Sequence, residues 1–259
     1  ETRPSPATAP EPEPAPPSEP ETRPAPAAKP APVTAQPRTA GVIPGMGNAI
    51  VPAALLADLV ARGAKVYAGA RRPETVDLPG VVPVQLDITD PESVRRAAEF
   101  AGDVNVVINN AGVSTQAGLL DGALEDVRLE METHYFGTLN VIRAFTPIIE
   151  SNGGGGILNV LSVLSWLHPA SSGAYSAAKA AAWAMTDAAR EELAPKGIHV
   201  TALHVGYMDT DMVSYIPADK KLDPGVAATL ALDGLFAGAP EVLADDLTRN
   251  VKAQLSAPR

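Results

Sequence analysis

Three side chains of this sequence have types and a spacing that suit proton transfer at a carbonyl group. Tyr175 and Lys179 lie four residues apart in an alanine-rich stretch, and Ser162 precedes the tyrosine by thirteen residues. Because four residues make about one helical turn, Tyr175 and Lys179 share a helix face. We expect the ammonium to lower the pKa of the Tyr175 phenol, and Ser162 to offer a second hydroxyl to the same carbonyl. This chemistry serves hydride transfer to a ketone, and it requires a nicotinamide nearby.

Alternating strand and helix patterns must position these side chains. Strand patterns cover residues 64–70, 81–87, 103–109, 157–161, 197–204 and 241–244. Helix patterns cover residues 91–100, about 126–150, 173–193, a stretch opened by Asp223-Pro224, and a last stretch that ends near 255. This alternation predicts an α/β fold with a parallel, doubly wound sheet, whose sites lie beyond the carboxyl ends of the strands. The four glycines at 153–156 precede a strand, so they predict a flexible connection and not a phosphate loop.

Composition divides the chain into two parts. Residues 1–38 are rich in Pro, Ala and Glu and hold half of the 26 prolines. Such a segment cannot bury enough apolar surface to offset its ordering entropy, so we predict a disordered tail. A spacer or a ligand for a proline-binding domain is the alternative interpretation of the tail. Residues 39–259 are predicted to form a single folded domain.

Charge and residue usage exclude several classes of function. The net charge is −10, which argues against nucleic acid as a partner and against a polybasic membrane contact. No apolar run has the length of a membrane span, and no signal-peptide pattern is visible at the start of the sequence. The chain has no cysteine, so disulfides and thiolate metal sites are excluded, and no metal site is expected. The cytoplasm is the expected location.

Five motifs follow one another along the chain: Asp87, the turn Asn109-Asn110-Ala111-Gly112, Ser162, the pair Tyr175 and Lys179, and the pair Gly206 and Thr210. Their order resembles the short-chain dehydrogenase/reductase family, in its single-domain branch, over about residues 40–255. Each motif alone is weak, because a Tyr-x-x-x-Lys or an Asn-Asn-Ala-Gly turn arises often by accident, whereas five in order are specific. The resemblance implies a Rossmann-like fold. It also implies that Tyr175 protonates the developing alkoxide, that Lys179 holds the nicotinamide ribose, and that Ser162 orients the substrate oxygen.

The resemblance implies a nicotinamide cofactor as well. It assigns cofactor contacts to Gly41, Gly45, Gly47, Arg71, Arg72, Asp87, Asn109, Ala111, Gly112, Tyr175, Lys179, Gly206 and Thr210. An acidic residue after the second strand would suit the ribose 2′-hydroxyl of NAD, but two arginines stand there. They suit the 2′-phosphate of NADP, which is therefore expected before NAD. A solvated basic turn is the alternative reading of this pair.

One departure from the family pattern lies at the position of an active-site residue. His134, in His134-Tyr135-Phe136-Gly137, occupies the position of the family's active-site asparagine, which helps to hold a water linked to the lysine. A histidine can donate or accept hydrogen bonds there and titrates near neutral pH, so we predict that His134 joins the proton relay. A helix histidine without any role is the competing interpretation.

A second departure concerns the first strand and the phosphate loop. Residues 32–39 should form a central strand, yet they contain two prolines, which central strands almost exclude. A short alternative strand covers residues 40–43, and Pro52 predicts that the next helix starts near Val51. The Gly-x-x-x-Gly-x-Gly spacing at Gly41 is therefore either remodelled or impaired as a phosphate loop.

Two functions from different classes remain in competition. The leading hypothesis is an NADP(H)-dependent oxidoreductase that interconverts a carbonyl and an alcohol, with tyrosine as proton donor or acceptor. The alternative is a non-catalytic dimeric scaffold or NADP-responsive binding protein with an impaired phosphate loop. We expect a small, apolar substrate and a homodimer or homotetramer. The expected pocket lining consists of Trp166, Leu167, His168, Tyr207, Met208 and Met212. The alternative interpretation is that several of these side chains pack in the core.

Overall fold

Seven parallel strands form one sheet in a computed structural model, which describes residues 39–43, 51–210 and 213–255. The strands are β1 (Thr39–Ile43), β2 (Lys65–Ala70), β3 (Val81–Gln85), β4 (Val106–Asn109), β5 (Gly155–Val160), β6 (Ile198–His204) and β7 (Glu241–Leu243). Their order in the sheet is β3-β2-β1-β4-β5-β6-β7, and every pairing is parallel. The prediction of a parallel, doubly wound sheet is confirmed.

The described ranges contain seven α-helices, six of which lie between strands and one of which follows β7. They are α1 (Val51–Ala61), α2 (Pro91–Phe100), α3 (Leu124–Met131), α4 (Thr138–Ser151), α5 (Gly173–Leu193), α6 (Pro224–Phe236) and α7 (Asp246–Ala253). A single π-helical turn, Glu132–Gly137, joins α3 to α4. Asp90 and Asp223 cap α2 and α6 by accepting backbone hydrogen bonds, and a proline follows each cap, as predicted.

Alternating side chains of the strands build two apolar layers. Val107 and Ile157 face α2, α4 and α5, whereas the next residues along the strands, Ile108 and Leu158, face α1 and α6. These positions are almost fully buried. Burial of each such side chain stabilises the fold by about 2 kcal/mol. Helices on both faces leave the two ends of the sheet open, and the site uses the carboxyl ends.

The first strand follows the second of the two sequence alternatives. β1 covers Thr39–Ile43 and lies between β2 and β4, where Gly41 pairs with Tyr67 and Val107. Gly41 is therefore inside the strand, which corrects the prediction that it opens the phosphate loop. The reason is the register: Ile43 pairs with Asn109, so the chain leaves the sheet only after Ile43. Gly45, Gly47 and the predicted tail at 1–38 lie outside the described residues.

Two of the four consecutive glycines belong to a strand. Gly155 and Gly156 start β5, which corrects the prediction that all four glycines form a connection. The physical reason is close packing, because a Cβ on Gly155 would overlap the backbone carbonyl of Asn105 on the neighbouring chain segment. Only Gly153 and Gly154 form the turn, and both have positive φ angles.

Candidate active site

The predicted catalytic side chains meet beyond the end of β5. Ser162 follows β5 by two residues, and α5 carries Tyr175 and Lys179 on one face. The Ser162 hydroxyl is buried, accepts a hydrogen bond from the Leu164 amide at 3.1 Å, and lies close enough to the Tyr175 phenol to influence its pKa. The structure thus brings together the hydroxyl pair that the spacing predicted.

Lys179 is buried behind the tyrosine. Its Nζ donates a hydrogen bond to the Val160 carbonyl at 2.9 Å and lies 5.6 Å from the centroid of the Tyr175 ring. Burial lowers the pKa of Lys179 to about 8, and the charge of Glu130 opposes this shift. The lysine can therefore give up or take up a proton close to neutral pH.

The pKa of Tyr175 moves in the direction opposite to the prediction. Burial raises the pKa of the phenol, the charge of Glu130 raises it further, and the neighbouring Ser162 hydroxyl lowers it. The prediction considered only the spacing of Lys179 from Tyr175, whereas burial and the charge of Glu130 determine the direction of the shift. Within this set of side chains, Tyr175 is a protonated phenol and thus a proton donor.

His134 lies in the same site, on the π-helical turn. Its ring is buried and stands edge-on to the Tyr175 ring, with the centroids 5.1 Å apart. The Nε2 atom lies 2.8 Å from the Val113 carbonyl and 3.2 Å from Glu130 Oε2. Burial lowers the pKa of His134, and the charge of Lys179 lowers it further. This placement next to Tyr175 is consistent with the predicted relay, whose operation stays a prediction.

Glu130 was missed from the sequence. It is fully buried on α3, and its Oε1 accepts hydrogen bonds from the amide of Thr115 at 2.7 Å and from its hydroxyl at 2.9 Å. The spacing of Glu130 and His134, four residues apart on one helix, is the signal that could have identified it. Its charge acts on all three titratable groups of the site.

The Asn-Asn-Ala-Gly turn lies directly beyond β4. The buried side chain of Asn109 donates a hydrogen bond to Asn159 on β5 at 2.8 Å, so its amide group joins the ends of β4 and β5. Gly112 packs against the His134 ring, because a Cβ there would lie 3.0 Å from Cε1. Ala111 is half-buried between these two positions. The turn therefore serves as the surface on which His134 rests.

The predicted nucleotide-binding side chains lie beyond β2 and β3. Arg71 and Arg72 are exposed immediately after β2, and neither forms an ion pair with the described residues. Asp87 follows β3 by two residues, and its Oδ1 accepts hydrogen bonds from the Thr89 amide at 3.0 Å and from its hydroxyl at 2.7 Å. The carboxyl ends of β2 and β3 lie at the same edge of the sheet as Tyr175.

The loop after β6 is fixed by a carboxylate. The Gly206 amide donates to Asp245 Oδ2 at 2.6 Å, and Asp245 also caps α7. A Cβ on Gly206 would lie 3.0 Å from the same oxygen, so only glycine allows this approach without a shift. Thr210 is half-buried and accepts a hydrogen bond from Val213 through its carbonyl.

The expected apolar lining is only partly available to a ligand. Trp166 is buried and stacks on His204 with ring centroids 3.9 Å apart, so it belongs to the core, which corrects its predicted place in the pocket. Met208 packs against the core cluster of α1 and α6. Leu167 and Tyr207 remain exposed, and Met212 lies outside the described residues.

The side chains fit a nicotinamide dinucleotide by their chemistry. The carboxyl ends of β1 and β4, where the strand order reverses, form the usual crevice for such ligands. Arg71 and Arg72 offer unpaired positive charge at one side, and the buried Lys179 ammonium keeps hydrogens beyond its bond to Val160. The described residues contain no group of three or more potential metal ligands, and none of their helices is long and apolar enough to cross a membrane.

Comparison with known families decides the assignment. A family model described as short chain dehydrogenase matches residues 40–221. The chain belongs to this short-chain dehydrogenase family. The resemblance that the motifs implied is thereby confirmed, including the fold class.

Several relatives of this family member have names that state a reaction. An NADPH-dependent 1-acyldihydroxyacetone phosphate reductase of Schizosaccharomyces pombe is 34% identical over 66% of this chain and 58% of its own length. An uncharacterized oxidoreductase of Staphylococcus aureus is 32% identical over 74% of this chain and 86% of its own length. The chain spans about half the length of several curated relatives, with 41% for a dehydrogenase/reductase SDR family member 7B of Xenopus laevis.

A solved structure carries a cofactor in the same fold. The short chain dehydrogenase of Burkholderia cenocepacia in complex with NADP is 40% identical to this chain, with a TM-score of 0.78. The match covers 86% of this chain and 94% of the other.

Proposed function

We propose that this short-chain dehydrogenase is an NADP(H)-dependent oxidoreductase that interconverts a carbonyl and an alcohol. The observation that carries the proposal is the convergence of the Tyr175 phenol, the Ser162 hydroxyl and the Lys179 ammonium beyond one strand end. A non-catalytic scaffold would have no use for a buried lysine, whose desolvation reduces the stability of the fold.

The side chains divide the proton chemistry among themselves. Ser162 holds the substrate oxygen through its hydroxyl, and Tyr175 donates its proton to that oxygen as negative charge develops there. Lys179 then returns a proton to the phenolate, which its pKa of about 8 allows near neutral pH. NADPH, when bound, supplies the hydride. Alcohol oxidation uses the same groups in reverse, with Tyr175 as the acceptor.

The proposed cofactor rests on three kinds of support. Arg71 and Arg72 are exposed beyond β2, where two guanidinium groups suit a ribose 2′-phosphate. The relative from Schizosaccharomyces pombe is named as NADPH-dependent, and the Burkholderia cenocepacia structure is a complex with NADP. Backbone contacts of Gly112 and Gly206 and the carboxylate of Asp87 would hold the remainder of the dinucleotide.

We also propose an apolar substrate and a homo-oligomeric protein. Leu119 contacts the start of α5 at Gly173, two residues before Tyr175, and the neighbouring Leu120 side chain is fully exposed. An apolar substrate would cover these leucines. The exposed Leu129 and Phe136 on the helical segment before α4 supply apolar surface for a second copy of the chain. The cytoplasm stays the predicted location.

Titration with NADPH followed by turnover assays tests the proposal. We expect the protein to enhance or shift the fluorescence of NADPH on binding, and then to oxidise NADPH when members of a panel of apolar ketones and aldehydes are added. The Tyr175→Phe variant, which keeps the ring and loses the hydroxyl, is the matched control and should bind without turnover. Absence of binding would defeat the enzyme proposal. Binding without oxidation across the whole panel would favour the scaffold.

A further inference from the structure

The two tryptophans of the chain connect the segments that carry the proposed catalytic side chains. Trp166 lies four residues after Ser162, and Trp183 lies about one helical turn after Lys179 on α5. Their rings stand edge to face, with centroids 5.8 Å apart. Trp166 is buried and Trp183 is half-buried. The contact therefore joins the turn after the proposed serine to the helix of the proposed tyrosine and lysine.

The turn after Ser162 is short and is tied to the Trp166 ring. The Ser165 amide donates a hydrogen bond to the Ser162 carbonyl at 2.9 Å, and the Trp166 amide follows directly in the chain. The Trp166 ring stacks on His204 with centroids 3.9 Å apart. His204 Nδ1 in turn lies 3.3 Å from the Ser162 carbonyl. A displacement of the indole would therefore be transmitted to the backbone of Ser162.

An ammonium group of α7 lies beside this tryptophan pair. Lys252, near the end of α7, has its Nζ 4.6 Å from the ring centroid of Trp166 and 5.3 Å from that of Trp183. Both distances are within the range of about 6 Å over which an aromatic face attracts a cation. Glu241 of β7 accepts a hydrogen bond from the same Nζ at 2.8 Å, and both side chains are more than two-thirds buried. The ammonium is thus held by one carboxylate and two indoles.

We propose that Lys252 is a positioning residue for the oxidoreductase reaction. Because its ammonium is shared by two indoles on different segments, it draws the turn at Ser162 and the face of α5 that carries Tyr175 together. Glu241 anchors the ammonium in this place. The separation of the two hydroxyl groups matters, since a misplacement of about 1 Å can lower a rate about a hundredfold. The kinetic effect rests on the proposed function, whereas the packing of the cluster does not.

Near-ultraviolet circular dichroism tests the packing without any substrate. The chain has 2 tryptophans and both belong to this cluster, so the tryptophan bands report on it alone. Lys252→Met keeps an unbranched apolar side chain and removes the charge, so we expect weaker tryptophan bands and an unchanged far-ultraviolet spectrum. Lys252→Arg retains a cation and should retain the bands. Arg249→Met, which removes a cation of the same helix that pairs with Asp246, is the matched control and should leave the bands unchanged.

Kinetics test the positioning separately. Lys252→Met should lower kcat for carbonyl reduction by about two- to thirtyfold, the factor that corresponds to the loss of one cation–π contact. The affinity for NADPH should stay the same, because Lys252 lies at the opposite end of α7 from Asp245, which binds the Gly206 amide. Lys252→Arg should restore most of the lost turnover, and Arg249→Met should keep the full rate. A lysine that only stabilised the fold would leave kcat of the folded protein unchanged.

Three results would overturn the proposal. A folded Lys252→Met protein with the kcat of the wild type refutes the positioning role, and so does a loss that Lys252→Arg does not restore. A fall in kcat with unchanged tryptophan bands refutes the route through the indoles. If Lys252→Met does not fold, Glu241→Gln, which removes the anchor of the ammonium, decides by the same two measurements. If the wild type reduces no carbonyl at all, the proposed function fails, while the tryptophan bands of Lys252→Met still decide whether the ammonium holds the two segments together.

Discussion

Replacing the buried lysine should make the protein more stable while removing its activity. Lys179 is almost fully buried, and its pKa falls from 10.5 to about 8 because burial disfavours its charge. At about 1.4 kcal/mol per pH unit, holding the charged lysine in the folded state costs about 3 kcal/mol. Lys179→Met fills the same space without a charge. It also removes the hydrogen bond to Val160, which is worth about 1 kcal/mol. The net gain is therefore about 2 kcal/mol at pH 7.

The gain in the free energy of unfolding from Lys179→Met should depend on pH in a defined direction. Below about pH 8, the lysine is charged in both the folded and the unfolded state, so the full cost is present. Between about pH 8 and 10.5, the folded state binds fewer protons than the unfolded state, and the cost disappears as the pH rises. The stability advantage of Lys179→Met should therefore shrink over this range.

Urea unfolding of the wild type and the variant at several pH values measures the effect. Other groups titrate in this range as well, but they titrate in both proteins, so the difference between the two free energies of unfolding isolates Lys179. Lys220→Met, a change of an exposed lysine, is the control and should show no pH-dependent gain. A Lys179→Met protein that is less stable than the wild type at pH 7, or a difference that does not depend on pH, would refute the reasoning.

Three further predictions concern the site. Tyr175→Phe should lower turnover by about 10²–10⁴-fold while the variant still binds NADPH, as steady-state kinetics and fluorescence titration would show. Replacing Arg71 and Arg72 by serine should weaken NADPH binding by about tenfold or more and leave NADH binding almost unchanged; equal losses for both cofactors would contradict the assignment of the 2′-phosphate. The rate of carbonyl reduction should fall as the pH rises through about 8, where Lys179 loses its proton, and a flat profile would speak against its role as proton source.

The fold could be predicted from the sequence because its signals are local. The apolar run that ends at Asn109, the Asp90-Pro91 cap and the alternation of short strands with longer helices each follow from a few neighbouring residues. The first strand was ambiguous for the same reason. Five residues at 39–43 next to prolines carry a weak local signal, and only pairing with β2 and β4 decides between the alternatives.

The electrostatics of the site could not be predicted in this way. The shift of the Tyr175 pKa depends on burial and on the charge of Glu130, which lies 45 residues earlier in the sequence. The burial of Glu130 depends in turn on Thr115, which a helix pattern does not reveal. Trp166 was expected to line the pocket, but stacking on His204 holds it in the core. These three outcomes depend on contacts between segments that are distant in the sequence.

Transfer of a labelled hydride tests the central claim most directly. The wild type is incubated with an apolar aldehyde or ketone and NADPH that carries deuterium at the transferable position of its nicotinamide, and the product is analysed by mass spectrometry. The account predicts an alcohol with one deuterium on the former carbonyl carbon, formed by the wild type and not by Tyr175→Phe. A protein that binds NADPH yet yields no labelled alcohol from any member of the panel, or equal labelling by Tyr175→Phe, would contradict it.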